Sequence, residues 1–152
     1  MKRGHQVMLL DLSLGKDAPV SRDITAAEVA TAAGRDIETV RELAPKTRSE
    51  AIQIMIKGAI AKAKELLESG QLDGVISIGG TSNTTLGTNV MKALPFGFPK
   101  HMVSNSASVP ALAANFIGTS DITVMYPVVN ISGKNDLVRD VFMRADGSQG
   151  VA

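Results

Sequence analysis

The stretch from Gly74 to Gly87, Gly-Val-Ile-Ser-Ile-Gly-Gly-Thr-Ser-Asn-Thr-Thr-Leu-Gly, most constrains what this chain can fold into. A β-branched apolar run, Val75 to Ile78, ends in two glycines; five polar residues, Thr81 to Thr85, follow, and then a helical pattern begins. Strand, glycine turn, hydroxyl loop and helix N-terminus are the parts of a backbone anion cradle. The first amides of a helix have no intrahelical partner, and the helix dipole makes that end partly positive. Gly79 and Gly80 let a backbone approach a ligand where a side chain would block it. Thr81, Ser82, Thr84 and Thr85 stand where they can add hydroxyl donors, and Asn83 lies in the same candidate binding loop. The same pattern also describes an ordinary strand-to-helix turn with an N-cap. It is not a Walker A loop, because no Gly-Lys-Ser/Thr follows, and it is not the Gly-x-Gly-x-x-Gly dinucleotide fingerprint.

Charge placement bears on the choice between these readings. From Gly74 to Ser120 there is no carboxylate, only Lys92 and Lys100 are charged, and fifteen residues are Ser, Thr or Asn. Such a segment suits an anionic ligand, although buried strands and capped helices also avoid charge. The clustering of hydroxyls at strand ends favours the ligand. The whole chain carries a net charge of only +1, with four Phe, one Tyr and no Trp. That balance gives no general pull toward nucleic acid, and it leaves few rings on which single-stranded bases could stack. No cysteine is present, which excludes thiolate chemistry and disulfides. The apolar run near the start, Val7 to Leu10, is too short for a signal peptide or a membrane span, so a cytoplasmic protein is the expectation.

Read in order, Gln6 to Leu12 is expected to be a strand buried on both faces, ending at Asp11. Thr25-Ala-Ala-Glu28 is a capping box that opens a helix from Ala26 to Ala33, stopped by Gly34. Asp36 caps a short helix through Leu43, and Thr47-Arg-Ser-Glu50 opens the longest helix, Arg48 to Ser69, closed by Gly70. On that helix Ile52, Met55, Ile56, Ala59, Ile60, Ala63, Leu66 and Leu67 share one face, the pattern of a core stripe. Strands are expected over Asp73–Ile78, Lys100–Ser104 and Ile122–Met125, with helices over Ser82–Ala93 and Asp136–Arg144. This alternation predicts one α/β domain, residues 1–146, with an open, mostly parallel, Rossmann-like sheet, helices on both faces and a tail over 147–152. Ligands of such sheets bind outside the carboxyl ends of the strands. Asp11, the Gly79–Thr85 loop and the loop of Ser104, Ser106 and Ser108 should therefore converge on one edge.

Several segments together resemble one family. They are Gly74 to Thr84, Met91 to Lys100, Met102 to Ser108, Ile117 to Ile122 and Met125 to Asn135. In this order they resemble the Tm-one-like ATP-binding domain family, over roughly residues 3–142. The resemblance implies an N-terminal α/β domain that binds ATP, with Mg²⁺ accompanying the nucleotide, and it implies no particular reaction. In a plant relative the corresponding domain binds and inhibits a viral replication protein. The second function class is therefore a protein-interaction module that has lost its nucleotide. The sequence departs from the family pattern where Ser82 and Asn83 stand in place of two further glycines and Val109 in place of another. The family's first strand and its Thr-rich loop have no counterpart, since Met1 to His5 matches only the end of the following helix. The sheet is accordingly expected to lack that strand. The gap predicts a chain that is not a stable monomer: it either forms a homo-oligomer or pairs with a missing N- or C-terminal segment.

The remaining candidates are weaker. Asp11 at a strand end could bond a ribose hydroxyl or cap its own loop, and the cap is favoured. Gly118, Thr119 and Ser120 form a turn before the last strand, and Asp121 either holds Mg²⁺ through water or caps that turn. His5 and His101 have no metal-ligand spacing. A triad of His101, Ser104 and Asp121 is disfavoured, because residues three apart on a strand point to opposite faces. Tyr126 either flanks an adenine or packs in the core, and packing is favoured.

Overall fold

A computed structural model describes residues 6–15, 21–106 and 114–127. The fold is open α/β, and the chain divides into two compact units, Met1–Glu65 and Leu66–Ala152.

The first unit is helical. Helix α1 spans Ala26–Ala32 and begins with the expected capping box, in which the Thr25 hydroxyl accepts from the Glu28 amide and Glu28 accepts from the Thr25 amide. Helix α2 spans Ile37–Leu43, and the Asp36 carboxylate accepts from the amides of Glu38 and Thr39. Both caps satisfy amides that a helix start otherwise leaves without partners. Helix α3 spans Arg48–Glu68, and beyond it Gly70 takes a positive φ of 69°. Its amide and that of Gln71 reach back to the carbonyls of Leu67 and Leu66, a Schellman closure that a Cβ at Gly70 would strain.

The buried face of α3 is narrower and smaller-sided than expected. Ala51, Met55, Ile56, Gly58, Ala59 and Ala63 are buried, whereas Ile52 and Ile60 are only partly so. The reason is a backbone contact with α1. A Cβ placed on Gly58 would lie 1.9 Å from the Val29 carbonyl oxygen, so the contact requires glycine.

The first strand departs from expectation. Residues Gln6 to Leu12 form no strand; Leu10 makes one isolated parallel bridge with Ile24. Val7, Met8 and Leu9 are 54%, 40% and 45% exposed, so the segment is not buried on both faces. Its backbone is engaged instead by the turn before α1. The Leu9 amide donates to the Asp23 carboxylate, and the Leu9 carbonyl accepts from the amides of Asp23 and Ile24. A side-chain acceptor has taken the place of a ladder partner.

The second unit holds the sheet. Strands β1 (Val75–Gly79), β2 (Lys100–Ser104) and β3 (Thr123–Met125) are parallel, in the order β1-β2-β3 among the described residues. Val75 pairs with Lys100 and Gly79 with Ser104, while Val103 pairs with Met125, so the carboxyl ends of the three strands lie level. Helix α4, Thr81–Lys92, connects β1 to β2 and packs on both. It lies very close: a Cβ on Gly87 would fall 2.3 Å from the Ser77 hydroxyl oxygen and 2.6 Å from the Ser77 Cβ. The expected helix Asp136–Arg144 and the tail lie outside the described residues.

Gly87→Ala should therefore force α4 away from β1. Overpacking of this kind costs roughly 1–3 kcal/mol, and urea unfolding of the variant should show it. Adding Ser77→Gly, which removes the clashing atoms, should recover part of the loss; equal stability of Gly87→Ala and wild type would contradict the close approach.

Candidate functional site

The carboxyl ends of β1 and β2 bring two of the predicted loops together. Gly80 is the N-cap of α4, with φ −86° and ψ −160°, and no side chain bonds to the cap position. The first amide to enter the helical ladder is that of Thr84, which donates to the Gly80 carbonyl at 2.8 Å. The preceding turn, with Thr81 and Asn83 exposed and Ser82 partly so, begins the helix without a side-chain cap. Gly79 takes a φ of 153°, and a Cβ there would lie 2.5–2.6 Å from Nδ2 and Cβ of Asn83, so the turn admits glycine alone. Asn83 does not point at the amides of its own turn. Its Nδ2 donates to the Ile78 carbonyl at 3.3 Å and fastens the helix start to the strand end.

The loop after β2 closes the other side. Ser106 and Thr81 hydroxyls are 2.9 Å apart, and Ser104 and Thr84 hydroxyls 2.7 Å apart, the latter pair buried. The Ser106 amide donates to the Ser104 hydroxyl at 3.1 Å, and the Ser106 hydroxyl to the Asn105 amide oxygen at 3.3 Å. A Cβ on Gly80 would stand 3.5 Å from that Asn105 oxygen, an ordinary contact. Nothing in the sequence marks Asn105 beyond its place in the hydroxyl loop, between Ser104 and Ser106. Ser108, the last of that loop's candidates, lies outside the described residues, as does Val109.

Gly118, Thr119, Ser120 and Asp121 do not join this cluster. They precede β3 and so lie at the amino end of the sheet, about 13 Å along the strands from the carboxyl edge. There Asp121 accepts from the Lys100 ammonium at 2.7 Å and from the Gly97 amide at 2.6 Å. These partners, Lys100 first, hold its carboxyl below the usual carboxylate range. The Lys100 side chain is only 2% exposed, so Asp121 serves as counter-ion to a buried cation at the amino end of the sheet, away from the cradle. The pairing was not readable from sequence, because it depends on the register between β2 and β3.

Asp11 belongs to the first unit. Its carboxylate accepts from Arg22 and from the Ser13 amide, the loop-capping role. His101 is buried on β2, and burial pushes its pKa down from 6.5. Tyr126 is not a core residue: it is 48% exposed, immediately beyond β3, level with Ser104 at the carboxyl edge. Among the described residues no group of three His, Asp or Glu side chains is placed to hold a metal ion, and no helix is long and apolar enough to cross a membrane.

The glycine- and hydroxyl-rich loops thus meet at the carboxyl edge of the parallel sheet of an open α/β domain. The chain belongs to the UPF0261 family: residues 1–150 match the model described as the uncharacterised protein family (UPF0261) N-terminal domain. A UPF0261 protein of Clostridium tetani is 35% identical over 144 residues, which cover 95% of this chain and 35% of that protein. One of Brucella suis is 28% identical over 147 residues, covering 97% and 34%. The ToMV resistance protein Tm-1(GCR237) of Solanum lycopersicum is 35% identical over 98 residues, covering 64% of this chain and 13% of its own length. The chain thus spans about a third of the length of these bacterial relatives.

Acid should destabilise the protein from two directions. The unfolded chain protonates His101 near 6.5, whereas the folded protein resists, so stability is full above that pH and falls as pH drops through it. The Asp121 contribution is lost only lower, as pH falls through its depressed carboxyl pKa. Urea midpoints measured between pH 7.5 and 5.5 should decline, and His101→Gln should flatten that decline. Asp121→Ala should lower the midpoint at pH 7, and Lys100→Met in the same chain should restore part of it, because the buried cation is then gone.

Proposed function

We propose that this chain is the nucleotide-binding part of a UPF0261 protein and holds the phosphates of ATP against the start of α4. The observation that carries the reading is the uncapped helix start. Gly80 offers no side chain to the first-turn amides, and the Thr81 hydroxyl of that turn meets the Ser106 hydroxyl of the neighbouring loop at 2.9 Å. Such amides hydrogen-bond an anion along the helix dipole, and charge-assisted bonds of this type are the strong ones. Tyr126, exposed at the same edge, offers an aromatic face to the base. Mg²⁺ would travel on the triphosphate rather than wait in a carboxylate site. No reaction is part of this reading.

A second reading, a protein-interaction module, draws on one observation. Phe96 is 90% exposed in the Pro95–Pro99 loop, which leads into the amino end of β2. A tomato relative of this region carries virus resistance in its name. The ToMV susceptible protein tm-1(GCR26) of the same plant is likewise 35% identical, over 101 residues.

Calorimetric titration with Mg·ATP separates the readings. Gly80→Leu is compatible with the Gly80 backbone and fills the cradle mouth beside Asn105. Loss of one charge-assisted hydrogen bond, ~1.5–3 kcal/mol, should weaken ATP about tenfold or more with urea unfolding unchanged. No heat with the wild type, or equal affinity in the variant, would count against the nucleotide.

A further inference from the structure

We propose that Thr84 and Ser104 are positioning residues, not ligand contacts. Their hydroxyls form a one-way hydrogen-bond relay that locks the Ser104–Ser106 turn onto the Gly80 carbonyl and so fixes the mouth of the cradle. The link to ligand affinity rests on the ATP reading above; the relay itself does not.

The proton positions follow from which atoms carry protons. The Gly80 carbonyl has none, and the Thr84 hydroxyl oxygen stands 2.8 Å from it. Two oxygen lone pairs at that distance repel unless a proton lies between them, so Thr84 donates and its single proton is spent. The Ser104 hydroxyl lies 2.7 Å from Thr84, and the same argument makes Ser104 the donor there. Ser104 in turn accepts the Ser106 amide at 3.1 Å. The sequence of donors runs Ser106 amide, Ser104 hydroxyl, Thr84 hydroxyl, Gly80 carbonyl, all in one direction. Thr84 and Ser104 are both fully buried, at 0% exposure. Burial makes each link expensive to leave unmade.

Two consequences separate these residues from their neighbours. Neither hydroxyl proton is free to meet a phosphate, although both residues sit in the loops that form the cradle. The Ser106 amide is committed inward as well, which leaves the Ser106 hydroxyl facing Thr81 across the mouth. Breaking the relay at Thr84 therefore frees Ser106, on another loop, through Ser104.

Amide hydrogen exchange followed by NMR tests the relay without any ligand. Thr84→Val keeps the side-chain shape and removes the acceptor for Ser104. Exchange at the Ser106 amide should quicken several-fold, while Met102, in the middle of β2, stays protected. Ser104→Ala should do the same, Ser104→Thr should restore protection, and Thr84→Val with Ser104→Ala should be no worse than Ser104→Ala alone. An unchanged Ser106 rate in Thr84→Val, or an equal rise at Met102, would overturn the relay. With Mg·ATP as the probe, Ser104→Ala should bind several-fold more weakly and Ser104→Thr should recover; equal affinity in Ser104→Ala would overturn the positioning role. If the wild type binds no ATP, the nucleotide reading fails while the exchange result still decides the relay.

Discussion

The second unit depends on how closely α4 lies on its sheet. Only glycine at position 87 permits the approach, because any side chain there would occupy the space of Ser77. That closeness has a consequence one turn earlier in the helix. It brings Thr84 within a hydrogen bond of Ser104 on β2, so helix start and strand end are joined by buried hydroxyls. Gly79 makes the turn from β1 sharp enough for Asn83 to fold back on the Ile78 carbonyl. Sequence, backbone and hydroxyl pairing thus lead to one local product: a helix start held rigidly at the carboxyl edge with its cap left open.

The two ends of the sheet are built from different forces. At the amino end a buried ammonium is neutralised by Asp121 and braced by the Gly97 amide. At the carboxyl end the described side chains of the cradle are uncharged. The partial charge there is that of the helix dipole, equivalent to roughly half a positive charge. An ion pair at the cradle would compete with a ligand for the same field. With Asp121 engaged at the far end, no side chain caps the first amides of α4.

Features carried by neighbouring residues were legible in the sequence. The caps at Thr25 and Asp36, the stops at Gly34 and Gly70, and the strand-turn-helix from β1 to α4 each depend on residues a few positions apart. Features set by distant partners were not. The strand expected at Gln6–Leu12 yields to the Asp23 carboxylate, which no periodicity reveals. The burial of α3 shifts toward Ala51 and Gly58 because of Val29 on another helix. Asp121 reads from sequence equally as a Mg²⁺ holder or a turn cap, and neither reading reveals Lys100, which the β-register places beside it; the Ser104–Thr84 hydroxyl contact likewise joins residues far apart in the chain. Tyr126 was expected in the core, and its exposure comes from its position just past a three-residue strand.

The central claim is that the uncapped amides of α4 receive a phosphate. The most direct test is an amide-resolved NMR titration of the whole chain with Mg·ATP. The account predicts saturable shifts at the amides of Gly80, Thr81 and Ser82, larger than those around Lys100 and Asp121. Saturable shifts confined to the amino end of the sheet, or no shift at the start of α4 at saturating ATP, would contradict it.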